Sequence, residues 1–158
     1  MYDCILVPTD GSPEVERALE HAFDLAQAHH ATVRAIYVVS VAGYGGLPME
    51  TPLDGIAGAL REEGEAAVER VEELAPTDVE VETRVLEGSP SRVIVDHAQP
   101  DECDLVVMGT HGRGGIDRLL LGSVTERVVR HAPVPVLTVR VDSSEPGERA
   151  DEKQLAAE

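Results

Sequence analysis

Glycine and hydroxyl residues are concentrated in one segment of the C-terminal half, GTHGRGGIDRLLLGSVT. Gly109 is followed by two residues and Gly112, and after nine more residues come Gly122 and Ser123. Glycine lets a backbone approach a phosphate closely and adopt a positive φ. Gly122 and Ser123 also precede a predicted helix, whose unpaired N–H groups and positive dipole end suit an anion. Ser123 and Thr125 add hydroxyl donors. One such glycine would indicate only a tight turn, but the whole set predicts a polyphosphate site.

A second candidate segment lies near the N-terminus, where Pro8-Thr9-Asp10-Gly11-Ser12 follows a short apolar run. The glycine segment likewise follows an apolar run, DLVVM. In open parallel sheets, ligands bind beyond the carboxyl ends of the strands, where the strand order reverses. The sequence therefore predicts that both segments meet at one site.

Alternating apolar runs and helical periodicities supply the elements that must position these segments. Predicted strands cover residues 2–7, 32–41, 80–86, 104–108 and 134–141. Four helices are predicted. The first begins at Ser12–Pro13, the second covers residues 56–74, and the third begins at Ser89–Pro90 and continues to residue 98. The fourth begins at Ser123, with Glu126 as its capping-box partner. Such alternation predicts a parallel α/β sheet with right-handed crossovers. Residues 1–141 form one predicted domain, residues 42–55 a Gly/Pro-rich loop, and residues 142–158 an acidic, disordered tail.

Charge and composition narrow the classes of partner and the compartment. The 158 residues carry a formal charge of −17, from 30 acidic and 13 basic side chains. An acidic surface repels nucleic acid and anionic membranes, so neither is expected as a partner. Lys153 is the single lysine, and many carboxylates with almost no lysine favour a high-salt cytoplasm, where charges are screened. No apolar run is long enough to cross a bilayer, and the N-terminus lacks signal-peptide features, so we expect a cytoplasmic protein.

The two cysteines and the histidines give weaker indications. Cys4 and Cys103 lie in apolar runs, and two cysteines are too few for a disulfide framework, so we expect buried free thiols. The histidines outside the glycine segment show no metal-ligand spacing. His111 lies within that segment and is either a general base or a solvated loop residue.

The motifs together resemble one known family. The pattern G-x2-G-x9-G-[ST] after VVMG, the opening ILVPTDGS and the closing HAPVPVLTVR are similar to the ATP-binding subclass of the universal stress protein family. The resemblance covers residues 1–141, and with the acidic composition it points to a halophilic archaeal member. It implies a doubly wound α/β fold with a five-stranded parallel sheet of order 3-2-1-4-5, helices on both faces, ATP binding and commonly a homodimer.

The resemblance also assigns ligand contacts. Phosphates and ribose would lie on the glycine segment, adenosine on the turn after the first strand, and adenine against Val38. Asp10 would hydrogen-bond a ribose hydroxyl, help to hold Mg or Mn, or only cap its turn, and Arg113 would pair with a phosphate or remain solvated. The residues implied to bind ATP are Pro8, Thr9, Asp10, Val38, Met108, Gly109, Thr110, Gly112, Arg113, Gly122, Ser123, Val124 and Thr125.

The favoured function is an ATP-binding regulatory or stress-response module. The alternative is a slow Mg-dependent ATPase in which His111 or Asp10 positions a water. An efficient enzyme is not expected, because the P-loop pattern GxxxxGK[ST] and a nucleophile–base pair are absent. A response-regulator receiver would need an acidic cluster beside Asp10 and a lysine near the fifth strand, and a flavodoxin-like carrier would need more aromatic residues than 3%.

A homodimer is expected through the fifth strand. In the implied order this strand lies at a sheet edge, where unpaired N–H and C=O groups invite another strand. Pro133 and Pro135 suit an edge position, and residues 136–141 are apolar enough to pair with a two-fold mate. The alternative is a monomer whose edge is covered by the charged tail.

Overall fold

The computed structural model of the protein describes residues 1–40, 53–111 and 121–140, with side chains from residue 55 onward in the second stretch. Strands and helices alternate along these stretches. The elements are β1 (Cys4–Pro8), α1 (Val15–His29), β2 (Thr32–Val39), α2 (Leu53–Leu74), β3 (Val81–Glu87), α3 (Pro90–His97), β4 (Leu105–Gly109), α4 (Ser123–His131) and β5 (Val136–Val139). Within these stretches no helix is both long enough and apolar enough to span a bilayer.

The five strands form one parallel sheet of order β3-β2-β1-β4-β5, which confirms the predicted fold class. From β1 the chain runs outward through β2 to β3 and then returns to place β4 on the other side of β1. The strand order therefore reverses between β1 and β4, whose carboxyl ends are Pro8 and Gly109. This reversal is the position at which such sheets open a crevice.

Helices cover both faces of the sheet, so the central strands are continuous apolar runs. On one face, Ile5 and Val7 of β1 pack in a core with the apolar side of α1. On the other face, Leu6 of β1 packs with Ile94 of α3 and Val128 of α4. The two cores hold the strand ends in place and leave the loops beyond them to form a site.

One predicted helix start and one predicted capping box are wrong, whereas α4 begins at Ser123 as predicted. The N-cap of α1 is Glu14 rather than Ser12, whose side chain bonds to Asp10 instead. The N-cap of α4 is Gly122, so Ser123 is the first helical residue and cannot form a capping box. Glu126 instead pairs with Arg130, 2.8 Å away and one turn on. The helix start Ser89–Pro90 is confirmed, with Ser89 as N-cap and Pro90 in the first turn.

Smaller differences concern element lengths. Helix α2 begins at Leu53, so it includes the last three residues of the predicted 42–55 loop. Strand β5 covers four residues rather than the eight predicted for 134–141, because Pro135 has no N–H to donate and contributes only its carbonyl, to the Val106 N–H at 3.0 Å. The rest of the loop, residue 141 and the predicted 142–158 tail lie outside the described residues, so the division into domain and tail stays a prediction.

The free-thiol prediction for the cysteines is also wrong. Cys4 and Cys103 form a disulfide between residues 99 apart in sequence, with their Cα atoms 4.6 Å apart. Cys4 begins β1, and Cys103 lies just before the neighbouring strand β4. The pairing arises because the Asp104 N–H donates to the Cys4 carbonyl at 3.0 Å, which brings the two backbones side by side.

Candidate functional site

A cavity of about 460 Å³ lies at the carboxyl ends of β1 and β4, where the strand order reverses. Its size is within the range of small-molecule sites. Strand ends, the turn before α1, one side of α3 and the start of α4 form its walls. The lining residues are Pro8, Thr9, Asp10, Val15, Ile36, Tyr37, Val38, Pro90, Ile94, Met108, Gly109, His111, Gly122, Ser123, Val124 and Thr125.

The cavity brings together most of the residues that the sequence singled out. Those lining it are Pro8, Thr9, Asp10, Val38, Met108, Gly109, Gly122, Ser123, Val124 and Thr125. Thr110 lies beside the cavity rather than in its lining, and its carbonyl accepts the Gly122 N–H at 2.8 Å. Gly112 and Arg113 lie outside the described residues.

The turn after β1 is held by its own polar side chains. The Asp10 Oδ1 accepts the Ser12 N–H at 2.9 Å and the Ser12 hydroxyl at 2.5 Å, and the Thr9 Oγ1 accepts the Gly11 N–H at 3.1 Å. Gly11 has a φ of +74°, a conformation that a residue with a Cβ rarely adopts. These bonds fix the turn and present the half-buried carboxyl of Asp10 to the cavity.

The start of α4 is tied to the end of β4. The Thr125 hydroxyl, nearly buried, donates to the Gly109 carbonyl at 3.0 Å. This bond changes the interpretation of Thr125, because its hydrogen is directed to its own chain and it positions the helix. The N–H groups of the first helical turn have no acceptors within the helix. Ser123, Val124 and Thr125 line the cavity, so this turn is placed to receive an anionic group.

A positive φ does not explain why Gly109 and Gly122 are glycines. Gly122 has a φ of −58° and a ψ of 153°, which any residue can adopt. In the described part of the chain, the left-handed glycines are Gly11 and Gly88, so Gly109 is not one of them. The expectation of positive φ is therefore wrong at these two positions. Close approach of a ligand remains the reason for having no side chain there.

One wall of the cavity is apolar. Ile36 and Val38 contribute from β2, Pro90 and Ile94 from α3, and Met108 from β4. The sequence reasoning found Val38 and Met108 but missed the others. Ile36 was detectable, because strand residues two apart share a face and Val38 had been identified. The α3 residues were not, because their contribution depends on how α3 packs across the sheet.

Charged groups are scarce around the cavity. Among the described lining residues, Asp10 carries the one carboxyl and none is an arginine or lysine. His111 lines the opening, with its Nδ1 3.0 Å from the Thr110 hydroxyl. In the three described stretches, no group of three or more His, Cys, Asp or Glu side chains is arranged to hold a metal. A divalent cation here would therefore take most of its oxygen ligands from a bound anion and water. The arrangement suits a ligand with a flat apolar part and an anionic part.

The parallel sheet and the cavity at its reversal point define a doubly wound α/β domain with a cavity of ligand size. The model of the universal stress protein family matches residues 1–140, and the chain belongs to that family. It is 43% identical over 146 residues to universal stress protein MJ0531 of Methanocaldococcus jannaschii, an alignment covering 92% of this chain and 86% of the relative.

Solved structures of the family share the fold. Universal stress protein UspA from Lactobacillus plantarum is 33% identical with a TM-score of 0.72, covering 88% of this chain and 98% of that one. A universal stress protein in complex with cAMP is 27% identical with a TM-score of 0.62, covering 89% and 98%. A universal stress protein from Archaeoglobus fulgidus in complex with dAMP is 25% identical with a TM-score of 0.59, covering 87% and 97%.

Proposed function

We propose that the chain binds ATP in the cavity at the carboxyl ends of β1 and β4 and acts as a nucleotide-dependent regulatory or stress-response module. The observation that carries the proposal is the cavity itself, which joins an apolar wall to the first turn of α4. An adenine ring needs an apolar wall, and a polyphosphate needs the N–H groups of a helix start. Two structural relatives bound to cAMP and dAMP support an adenine nucleotide as the ligand.

The placement of the ligand follows from the walls. Adenine would lie against Ile36, Val38 and Met108, with the ribose near the Asp10 carboxyl. The phosphates would lie against Gly109 and the N–H groups that follow Gly122. Gly112 and Arg113 belong to the same proposed site through the sequence motif alone.

The cation is part of the same proposal. The described lining has no arginine or lysine to offset the phosphate charge, so Mg or Mn is expected to accompany ATP. Asp10 is the side chain that would contribute an oxygen to the ion, directly or through water. The ion would neutralise phosphate charge.

Substitution of Gly122 by valine tests the site. The φ and ψ of Gly122 accept a side chain, and the residue is only partly buried, so the variant should fold. A branched side chain at the N-cap would obstruct a phosphate at the helix start, and we expect calorimetry to detect no ATP binding. Ser123→Ala is the matched control, because it removes one exposed hydroxyl from the same turn and should weaken binding by about tenfold at most. A folded Gly122→Val protein with wild-type affinity would refute this site.

Slow Mg-dependent hydrolysis is the second candidate function. Its support is that His111 and Asp10, the two side chains able to position a water, line the same cavity. Single-turnover phosphate release with Mg²⁺ should be measured on the wild type, His111→Ala and Asp10→Asn. Release that is independent of both side chains would remove the enzymatic candidate and leave the binding function intact.

A homodimer through β5 is also proposed. The described residues include no strand beyond β5, and Leu137 on this edge is 39% exposed. Val139 faces the core and is unsuitable for a test, so Leu137→Lys is the substitution of choice. Light scattering should show a dimer for the wild type and for Thr77→Lys, an exposed control near β3, and a monomer for Leu137→Lys. A wild-type monomer at micromolar concentration would refute the dimer.

A high-salt cytoplasm is the proposed environment, and the formal charge of −17 disfavours nucleic acid as a partner. Six glutamates of α2 concentrate negative charge: Glu62, Glu63, Glu65, Glu69, Glu72 and Glu73. Screening in molar KCl, where the Debye length is about 3 Å, should relieve their repulsion and raise the melting temperature. A flat or falling melting temperature between dilute buffer and molar KCl would contradict the proposal.

A further inference from the structure

A second cavity, of about 370 Å³, lies between α3 and α4. It shares no lining residue with the first cavity. Arg92 borders it from α3, Arg127 and His131 border it from α4, and the hydroxyl residues Ser89 and Ser91 come from the start of α3. Its walls are therefore rich in hydrogen-bond donors, in contrast to the apolar wall of the first cavity.

The two arginines of this cavity lack the ion pairs that four other described arginines form. Arg34, Arg61, Arg70 and Arg130 each form an ion pair with a glutamate. Arg92 and Arg127 form no ion pair within the part of the chain that the structure describes.

The cavity also contains a carboxylate that could pair with an arginine. Asp96 borders the same cavity and lies one helical turn from Arg92, yet the two side chains are not within ion-pair distance. Arg92 and Arg127 therefore border one cavity without an ion pair, in a chain with 30 acidic and 13 basic residues. An anion bound in the cavity would offset the positive charge of both side chains.

Hydrogen bonds within the two helices use one donor of the cavity and leave another available. The His131 Nδ1 donates to the Arg127 carbonyl at 2.9 Å, which holds the imidazole against its own helix. Ser89 is the N-cap of α3 but makes no side-chain capping bond, so its hydroxyl is not used by the helix. Guanidinium groups bind phosphate oxygens through two parallel N–H···O bonds.

We propose that the cavity between α3 and α4 is a second anion site, which binds a phosphate group through Arg92 and Arg127. The ligand is inorganic phosphate or the phosphate of a small monoester. This inference does not rest on nucleotide binding, because it uses none of the residues of the first cavity.

The test is an NMR titration of the full chain with inorganic phosphate and, separately, with glycerol phosphate. Ionic strength is held constant by replacing KCl, so that bulk screening does not change. Saturable shifts are expected for the Ser89 and Ser91 amides and for the side-chain Nε–H groups of Arg92 and Arg127. The Ser123 amide reports on the first cavity and separates the two sites. Tighter binding of the ester would identify a monoester as the ligand, and equal or weaker binding would identify free phosphate.

Matched variants distinguish a local site from a general charge effect. Arg92→Gln and Arg127→Gln should each weaken phosphate binding by about tenfold. Asp96→Asn should strengthen it severalfold, because a carboxylate beside the anion is removed. Arg17→Gln removes the same charge from an exposed position on α1, on the opposite face of the sheet, and should have no effect.

All four positions are exposed, so the variants should keep the fold, and circular dichroism would verify this. Shifts that grow linearly with phosphate and never saturate would overturn the proposal. So would an equal loss of affinity in Arg17→Gln.

Discussion

The two ends of the sheet use similar residues for opposite purposes. At the amino end, the Asp104 Oδ2 accepts the Asp3 N–H at 2.6 Å and the Cys4 N–H at 3.3 Å, and the disulfide from Cys4 to Cys103 joins the same strands. At the carboxyl end, Asp10 accepts two hydrogen bonds from Ser12, but the surrounding loops leave a cavity of about 460 Å³. The amino end is therefore filled by contacts within the chain, whereas the carboxyl end keeps a cavity.

This difference indicates that residues at the amino end of the sheet stabilise the fold, whereas residues at the carboxyl end shape the binding cavity. Around the amino end, Arg34 pairs with Glu82 at 2.9 Å and with Glu102 at 3.4 Å, and Glu102 also lies 3.2 Å from His97. These contacts join β2 and β3 to the end of α3 and the segment before β4. At the carboxyl end, hydrogen bonds fix the walls of a cavity instead. Changes at the amino end should therefore alter the free energy of unfolding, and changes at the carboxyl end should alter ligand affinity.

Reduction of the disulfide should have the largest effect on stability. The bond links residues 99 apart, and removing a native disulfide typically lowers the free energy of unfolding by about 2–5 kcal/mol. Urea unfolding with and without reductant measures this loss. ATP affinity should change less than twofold, because the bond lies at the end of the sheet opposite the cavity.

Cys103→Ala is the control for reduction. Its free energy of unfolding should equal that of the reduced wild type, apart from a small decrease because the sulfur atom of Cys103 no longer makes packing contacts. Reductant should not change the free energy of unfolding of this variant. A reductant effect that persists in this variant would place the redox-sensitive group elsewhere.

Substitution of Gly64 tests packing behind the carboxyl half of the sheet. A Cβ at this position of α2 would lie 2.6 Å from Tyr37 Cδ1 and 3.0 Å from Val85 Cγ1. Gly64→Ala should therefore lower the free energy of unfolding by about 1–3 kcal/mol. Gly58→Ala, in the same helix with no atom within 4 Å of the new Cβ, should raise it by about 0.5–1 kcal/mol. Thermal or urea unfolding measures both changes. Equal changes in the free energy of unfolding for the two variants would show that the ring of Tyr37 moves aside without cost.

The two aspartates offer the sharpest contrast between the ends, with smaller effects. Asp104→Asn weakens a charged acceptor for two backbone N–H groups, and we expect the free energy of unfolding to fall by about 1–2 kcal/mol with ATP affinity unchanged. Asp10→Asn should weaken ATP binding by about tenfold with a smaller change in stability. Each variant needs urea unfolding and calorimetry. If both variants changed the free energy of unfolding and the ATP affinity in the same way, the two ends of the sheet would not differ in role.

Sequence patterns were sufficient for the alternating elements and the α/β class because each element carries a local signal, whereas the strand order was implied by the resemblance to a known family. The apolar runs of β1 and β4, the periodicity of α1 and the Ser89–Pro90 helix start all arise from neighbouring residues. The glycine motif also indicated one side of the cavity, since Gly109 ends a strand and Gly122 precedes a helix.

Features that depend on packing between distant segments were not predictable in the same way. The disulfide depends on Cys4 and Cys103 being adjacent only after β1 and β4 pair. The hydroxyl of Thr125 appeared to be a ligand donor until the structure placed the Gly109 carbonyl 3.0 Å away. The side chains of α3 entered the cavity wall through the crossing of the helix over the sheet, which no local pattern records.

The central claim, that the open end of the sheet binds ATP, is tested most directly by titrating the wild-type protein with ATP and Mg²⁺ in high salt, followed by NMR. The account predicts saturable shifts with one ATP per chain, centred on Thr9, Gly109, Ser123 and Thr125, and no shifts at Asp3 or Asp104. Absence of saturable binding at millimolar ATP, or shifts centred on the amino end, would contradict it.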